Sequence, residues 1–253
     1  MKRVLQLTFL ALLLALGGCS TTMEREGVDT RKAAEANADL GLRYMLQGNN
    51  ELALSKLKRA LEYDSRYSPA HHYLAELYNR LDRPEDADEH YRDAVYYHEG
   101  EDSTLFNNYG AFLCSQGRVE EGEKQFLRVL KNPVYPRPDQ VYENLGLCLA
   151  GEPDKTDLER AEEYLRKALE LNPRLPKALL AMSRISFARD NHLSARAYLQ
   201  RYQAVARPTP ESLWLGIRIE RVLGDKDALS SYGLLLKGRY PDAPETKLYL
   251  ESN

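Results

Sequence analysis

The chain repeats itself every 34 residues from Ala33 onward, and this period limits the possible folds more than any other feature. The stretch 40–44, Leu-Gly-x-x-Tyr, returns at 74–78 as Leu-Ala-x-x-Tyr, and Ala53 returns as Ala87. A period of this length is typical of solenoids in which each unit is one pair of antiparallel helices. One such pair cannot bury its apolar face alone, so stacked neighbours must supply the core. We therefore expect an all-α chain.

The pattern recurs in six successive windows and resembles the tetratricopeptide repeat. The fold it implies is a right-handed α-solenoid of about six repeats, occupying residues 33–253. The predicted repeats lie near 34–67, 68–101, 103–136, 139–175, 176–208 and 209–242. The predicted helices are 34–47, 51–63, 69–81, 84–98, 103–116, 119–131, 138–150, 157–171, 176–189, 192–205, 210–223 and 226–238. A last short helix near 244–251 would cap the array.

The N-terminal residues have the pattern of a bacterial lipoprotein signal. Two basic residues precede the apolar stretch Val4–Leu16, which is roughly 20 Å long as a helix and therefore too short for a bilayer core of about 30 Å. Leu16-Gly17-Gly18-Cys19 resembles the lipobox, which implies removal of residues 1–18 and acylation of Cys19. An ordinary signal peptide beside a chance cysteine is the alternative. Polar residues 19–32 would form a tether.

The residue after the lipobox cysteine bears on the membrane in which the protein would be anchored. An inner-membrane retention signal would place Asp at this position, where the chain has Ser20. We therefore expect a lipid anchor in the outer membrane, on its periplasmic face. Several acyl chains on one residue give the strong anchoring that one chain cannot give.

Composition and motifs exclude several functions. The net charge of −3 provides no basic footprint for nucleic acid. The five histidines form no H-x-x-x-H motif, and His90 and His98 lie two turns apart on one predicted helix without an acidic residue to complete a set. We therefore expect surface histidines and no metal. No nucleophile elbow or phosphate-binding glycine loop occurs, so we predict neither catalysis, a cofactor nor a small-molecule substrate.

Two of the three cysteines could form a disulfide bond. Cys114 and Cys148 lie on the first helices of adjacent predicted repeats, and the periplasm would permit oxidation. Equivalent points of adjacent repeats are about 10 Å apart, whereas the Cα atoms of a disulfide lie within about 7 Å. The sequence therefore favours two small buried side chains over a bridge, although it leaves the bridge open.

The first helices of tetratricopeptide repeats line a concave groove, and this resemblance indicates a binding surface for another polypeptide. Asn108 and Asn144 occupy the same repeat position, where an amide can donate to and accept from an extended backbone. Alternatively, the two amides bond only to neighbouring loops. Leu42 and Met45 give the groove an apolar start. The residues predicted to contact a partner are Leu42, Met45, His72, Asn107, Asn108, Ala111, Asn144 and Leu147. The wider predicted lining adds Ala38, Glu76, Asn79, Cys114, Glu143, Leu180, Arg184, Phe187, Trp214 and Ile217.

Three stretches narrow the resemblance to one family: residues 106–118, 143–148 and 213–241. With the lipobox, they resemble the type IV pilus biogenesis lipoproteins, the pilotins of the PilF/PilW family. The resemblance implies a non-enzymatic protein that binds secretin subunits at the outer membrane and promotes their assembly into a ring. A lipoprotein scaffold for peptidoglycan enzymes or for barrel assembly is the alternative, and an enzyme with a cryptic site is a second one.

Overall fold

The computed structural model describes residues 29–100, 102–151 and 155–252. The predicted signal peptide, Cys19 and the predicted tether up to residue 28 lie outside the described residues, as does the turn around Pro153. The described residues form thirteen α-helices and no strand. The helices are α1 Thr30–Leu46, α2 Asn50–Tyr63, α3 Ser68–Arg80, α4 Pro84–Tyr96, α5 Ser103–Ser115, α6 Val119–Leu130, α7 Pro138–Ala150, α8 Lys155–Leu171, α9 Pro176–Ala188, α10 His192–Gln203, α11 Pro210–Leu223, α12 Lys226–Arg239 and α13 Pro244–Glu251.

Consecutive helices pair as the 34-residue period predicts. Each odd-numbered helix from α1 to α11 packs against the helix that follows it, and α13 packs on α11 and α12 as the predicted cap. The odd-numbered helices of neighbouring pairs also approach within 8 Å between Cα atoms, whereas the even-numbered helices of the described residues do not. In a curved stack the elements on the inner side lie closest together. The odd-numbered helices α1 to α11, called first helices here, therefore form the concave side.

Small residues on the first helices allow close packing within each pair. Gly110 of α5 faces Phe126 of α6, and a Cβ atom at Gly110 would lie 2.9 Å from the phenyl ring. Phe126 is completely buried. A large residue of the second helix thus fills the space left by a missing side chain on the first, which is why the small and large positions recur together.

The first helix begins earlier than the sequence predicts. Residues 30–32 were expected in the tether, but α1 begins at Thr30, where the Asp29 side chain caps the helix by accepting a hydrogen bond from the Lys32 amide. Arg31 pairs with Asp64 at 3.0 Å, and its guanidinium lies 4.8 Å from the centre of the Tyr67 ring. The cap and these contacts hold the extra turn on the solenoid, so the tether cannot extend to residue 32.

Cys114 and Cys148 form a disulfide bond, so the expectation of two separate thiols is wrong. Their Cα atoms are 5.4 Å apart, about half the spacing assumed for equivalent points of adjacent repeats. Gly122 of α6 explains how the sulfur is accommodated, since a Cβ atom there would lie 2.5 Å from the Cys114 Sγ atom. The other repeats carry alanine at this position: Ala53, Ala87, Ala161, Ala195 and Ala228.

Within the described ranges, every helix is either too short or too polar to cross a lipid bilayer.

Candidate partner-binding groove

Three hollows follow one another along the concave side, and together they form a surface that we call the first-helix groove. The first hollow, of about 280 Å³, lies between α3 and α5. The second, also of about 280 Å³, lies between α7 and α9, and the third, of about 550 Å³, lies between α9 and α11. The second and third share Arg184 and Ala188, so they are continuous. A row of hollows suits a long ligand better than a compact one.

The floor of the first hollow is a carboxylate held by two neighbours. The amide of Asn108 on α5 donates a hydrogen bond of 2.5 Å to the Oε1 atom of Glu76 on α3. The Nε2 atom of His72 lies 3.0 Å from the same oxygen. Burial acts to raise the pKa of Glu76, but the hydrogen bonds from His72 and Asn108 and the charge of Arg80 outweigh it and lower this pKa. Glu76 is therefore ionised, and Arg80, which lines the same hollow, places a positive charge 4.0 Å from its Oε2 atom.

Asparagine side chains extend this contact across three repeats. Asn107 donates to the Oδ1 atom of Asn108 at 3.5 Å, and Asn144 of α7 donates to the Oδ1 atom of Asn107 at 3.2 Å. The amides thus bond to neighbouring first helices, whereas the alternative interpretation placed their partners in loops. Because each amide can make several hydrogen bonds, Asn107 and Asn144 retain capacity for a further polar partner.

The third hollow combines aromatic surface with charge. Phe187 of α9 and Trp214 of α11 line it, and the Arg218 guanidinium lies 4.5 Å from the centre of the Phe187 ring. Arg184 pairs with Glu211 across the two helices. Burial lowers the pKa of Arg184. Partly buried Trp and Arg side chains are the residue types that most often dominate the binding energy of protein interfaces.

The structure distributes the eight predicted contact residues among different environments. Asn108 and Ala111 line the first hollow, Leu147 lines the second, and Asn107 and Asn144 link the two. Leu42 is half-buried against the core.

Two of the predicted contact residues lie below the surface. Met45 is only 1% exposed and His72 only 3% exposed, so neither offers surface to a ligand. Both side chains point from α1 and α3 into the packing between helices, which the repeat position alone does not distinguish from the groove. They support the groove from beneath.

The expectation that the histidines face solvent is wrong for His71 and His72, which are 5% and 3% exposed. His71 lies on the side of α3 that packs against α4, where it meets His90 and Asp93. These residues are separate from the first-helix groove. No sequence pattern indicates this group, because its members come from two different helices and only His90 and Asp93 have a helical spacing.

The paired helices, their close-packed small residues and the concave groove define a tetratricopeptide-repeat protein. The tetratricopeptide-repeat family model matches residues 38–103.

The most informative similarities are to proteins of pilus assembly. The chain is 36% identical over 242 residues to the type IV pilus assembly protein PilF of Pseudomonas aeruginosa, across 93% of this chain and 94% of that protein. The solved structure of Pseudomonas aeruginosa PilF matches with a TM-score of 0.77 and 34% identity, over 88% of this chain and 99% of the other. The crystal structure of PilW, a widely conserved type IV pilus biogenesis factor, matches with a TM-score of 0.77 and 28% identity, over 86% and 98%. The chain therefore belongs to the PilF family of type IV pilus assembly proteins.

Proposed function

We propose that this protein is an outer-membrane lipoprotein that binds the secretin subunit of the type IV pilus through the first-helix groove. In doing so it promotes the localisation and multimerisation of the secretin, and thereby pilus biogenesis and twitching motility. The observation that supports this most strongly is the similarity to PilF over 93% of the chain. The groove supports it physically, because a row of hollows is suited to a segment of another polypeptide.

The mechanism needs two parts that act together. Acyl chains on Cys19 would hold the protein at the periplasmic face of the outer membrane. A secretin segment bound in the groove would then be confined to the same surface, which raises the effective concentration of the subunits that must meet. No bond-making step is required of the protein itself.

The groove favours an extended or helical segment with apolar anchors. The hollow lined by Phe187 and Trp214 would take the largest apolar side chain of such a segment. The carboxylate of Glu76 and the guanidinium of Arg80 in the first hollow favour a side chain that can both donate and accept hydrogen bonds, such as an amide. The hydrogen-bonding capacity that remains on the amides of Asn107 and Asn144 would pair with backbone groups between these points.

The anchor is tested by Cys19→Ala. We expect the variant to leave the outer-membrane fraction and to leave the secretin unassembled on native gels. A variant that remains in the outer membrane would refute acylation at Cys19 as the means of attachment.

The groove is tested by Ala111→Arg, which places a large charged group on the exposed wall of the first hollow. The matched control is Ala197→Arg, an exposed alanine on α10 at the outer side of the solenoid. We expect secretin to co-purify with the control and not with the groove variant. Equal recovery of secretin with both would exclude the first hollow as the binding surface, and capture of peptidoglycan enzymes in place of secretin would favour the alternative scaffold.

A further inference from the structure

A compact group of three potential metal ligands lies inside the second repeat, away from the groove. His71 projects from α3, and His90 and Asp93 lie one turn apart on α4. Each residue offers one potential ligand atom, and these three atoms all lie within 4.8 Å of one another. Two imidazoles and one carboxylate are a donor set that divalent transition metals bind in proteins.

The orientation of His71 is fixed by a hydrogen bond on the far side of its ring. Its Nε2 atom lies 3.1 Å from the carbonyl oxygen of Ser65. A carbonyl only accepts, so Nε2 must carry the proton, and the neutral ring presents the lone pair of Nδ1 to the cluster. A histidine that donates one N–H to a backbone carbonyl and turns its other nitrogen toward a metal is the usual arrangement around protein metal ions.

Only a small rearrangement of the three side chains is needed for an ion to bind. The Nδ1 atoms of His71 and His90 are 2.9 Å apart, and the Nδ1 atom of His71 is 3.6 Å from the Oδ2 atom of Asp93. Two nitrogens at about 2.0–2.1 Å from Zn²⁺ in a tetrahedron lie roughly 3.4 Å apart. The imidazoles therefore need to separate by about half an ångström, while the proton of His90 moves to its Nε2 atom.

Aromatic packing on one side and solvent on the other complete the surroundings. The His90 ring stacks on Tyr78 with the ring planes 3° apart. The Asp93 side chain is 41% exposed, so an ion can reach the cluster from solvent and keep a water molecule as a further ligand.

We propose that the second repeat binds one divalent transition-metal ion, of the class of Zn²⁺, through the Nδ1 atoms of His71 and His90 and the carboxylate of Asp93. The ion would join α3 to α4 across the interior of the repeat. Hard ions such as Mg²⁺ and Ca²⁺ are disfavoured because two of the three donors are imidazole nitrogens. The proposal is independent of secretin binding.

The test uses the full chain with Cys19→Ala, which removes the one cysteine outside the disulfide, after treatment with EDTA. Calorimetric titration with ZnCl₂ is expected to give one ion per chain, and CoCl₂ to give the visible absorption of a four-coordinate site. Asp93→Asn changes an accessible ligand without disturbing the core, and His90→Ala removes a second ligand. Each is expected to weaken Zn²⁺ binding by at least about tenfold.

The matched control is His192→Ala, because His192 lies on α10 with Asp190 at 3.8 Å but has no second histidine nearby. Its affinity for Zn²⁺ should equal that of the parent chain. The proposal is overturned if the parent chain takes up no ion, or if Asp93→Asn binds Zn²⁺ as tightly as the parent does. It is also overturned if Zn²⁺ leaves the imidazole NMR signals of His71 and His90 unchanged, because the pair would then be joined only by its hydrogen bond.

Discussion

Reduction of the bond between Cys114 and Cys148 should lower the stability of the solenoid by an amount that depends on the number of residues between the two cysteines. The two residues are 34 apart in sequence. Closing a loop of this length in the unfolded chain removes about 12.6 cal/mol/K of entropy, which corresponds to about 3.8 kcal/mol at 25 °C. For a chain of this size the loss corresponds to a fall in melting temperature of roughly 8–15 °C. Buried apolar residues on the same helices, such as Leu113 and Leu149, should keep the reduced protein folded.

The measurement compares oxidised and reduced samples of one chain, carrying Cys19→Ala, by circular dichroism during heating and during urea unfolding. The control is the double variant Cys114→Ala and Cys148→Ala, whose melting temperature should not respond to the reductant. A thiol assay in denaturant verifies the state of each sample. If the verified oxidised and reduced samples melt within about 2 °C of each other, the entropic argument is refuted.

Three further predictions concern packing and charge. Gly122→Ala should destabilise the fold by about 1–3 kcal/mol, because the added Cβ atom would lie 2.5 Å from the Cys114 Sγ atom. Urea unfolding of the variant with and without the disulfide will show whether that sulfur is the cause. Phe126→Ala should cost about 3–5 kcal/mol in urea unfolding, since the ring is completely buried; a cost below about 1 kcal/mol would contradict the packing described. Burial raises the pKa of Glu143, so its carboxyl group binds a proton more tightly in the folded state than in the unfolded state. The contribution of Glu143 to stability therefore falls as the pH rises from about 4.3, the pKa in the unfolded chain, through the pKa in the folded chain. Glu143→Gln can still accept the hydrogen bond from the Ala178 amide, and it should therefore gain stability relative to the parent between pH 3.5 and pH 7 in thermal melts; parallel pH profiles would contradict this.

The fold follows from the sequence because its signals are local and repeated. Prolines mark the starts of α4, α7, α9 and α11, where a missing N–H costs little, and the observed helices begin at Pro84, Pro138, Pro176 and Pro210. The pairing of Gly110 with Phe126 is likewise predictable, because a small residue on the first helix and a large residue on the second recur at the same repeat positions. The start of α1 was misjudged because part of its stability comes from Arg31 contacting Asp64 and Tyr67 at the far end of the same repeat, which a local pattern does not contain.

The groove and the disulfide were only partly predictable, for reasons of geometry. A repeat position states which helix carries a residue, but the packing of neighbouring helices decides whether that residue reaches the surface, and Met45 and His72 are buried. Gly122, in a position that is alanine elsewhere, was the available signal for the bridge, although its meaning depends on where the sulfur lies. The hollow lined by Trp214 is larger than the other two hollows of the first-helix groove, whereas the prediction concentrated on repeats one to four.

The disulfide also limits how the solenoid can change its radius of curvature. In a repeat array, the curvature is the sum of small rotations at successive junctions. The disulfide joins α5 to α7 and holds the Cα atoms of Cys114 and Cys148 at 5.4 Å. The junction between these two central repeats therefore cannot open. Any widening or narrowing must then come from the junctions on either side. The two ends of the molecule would therefore move as separate arms about a centre of constant shape.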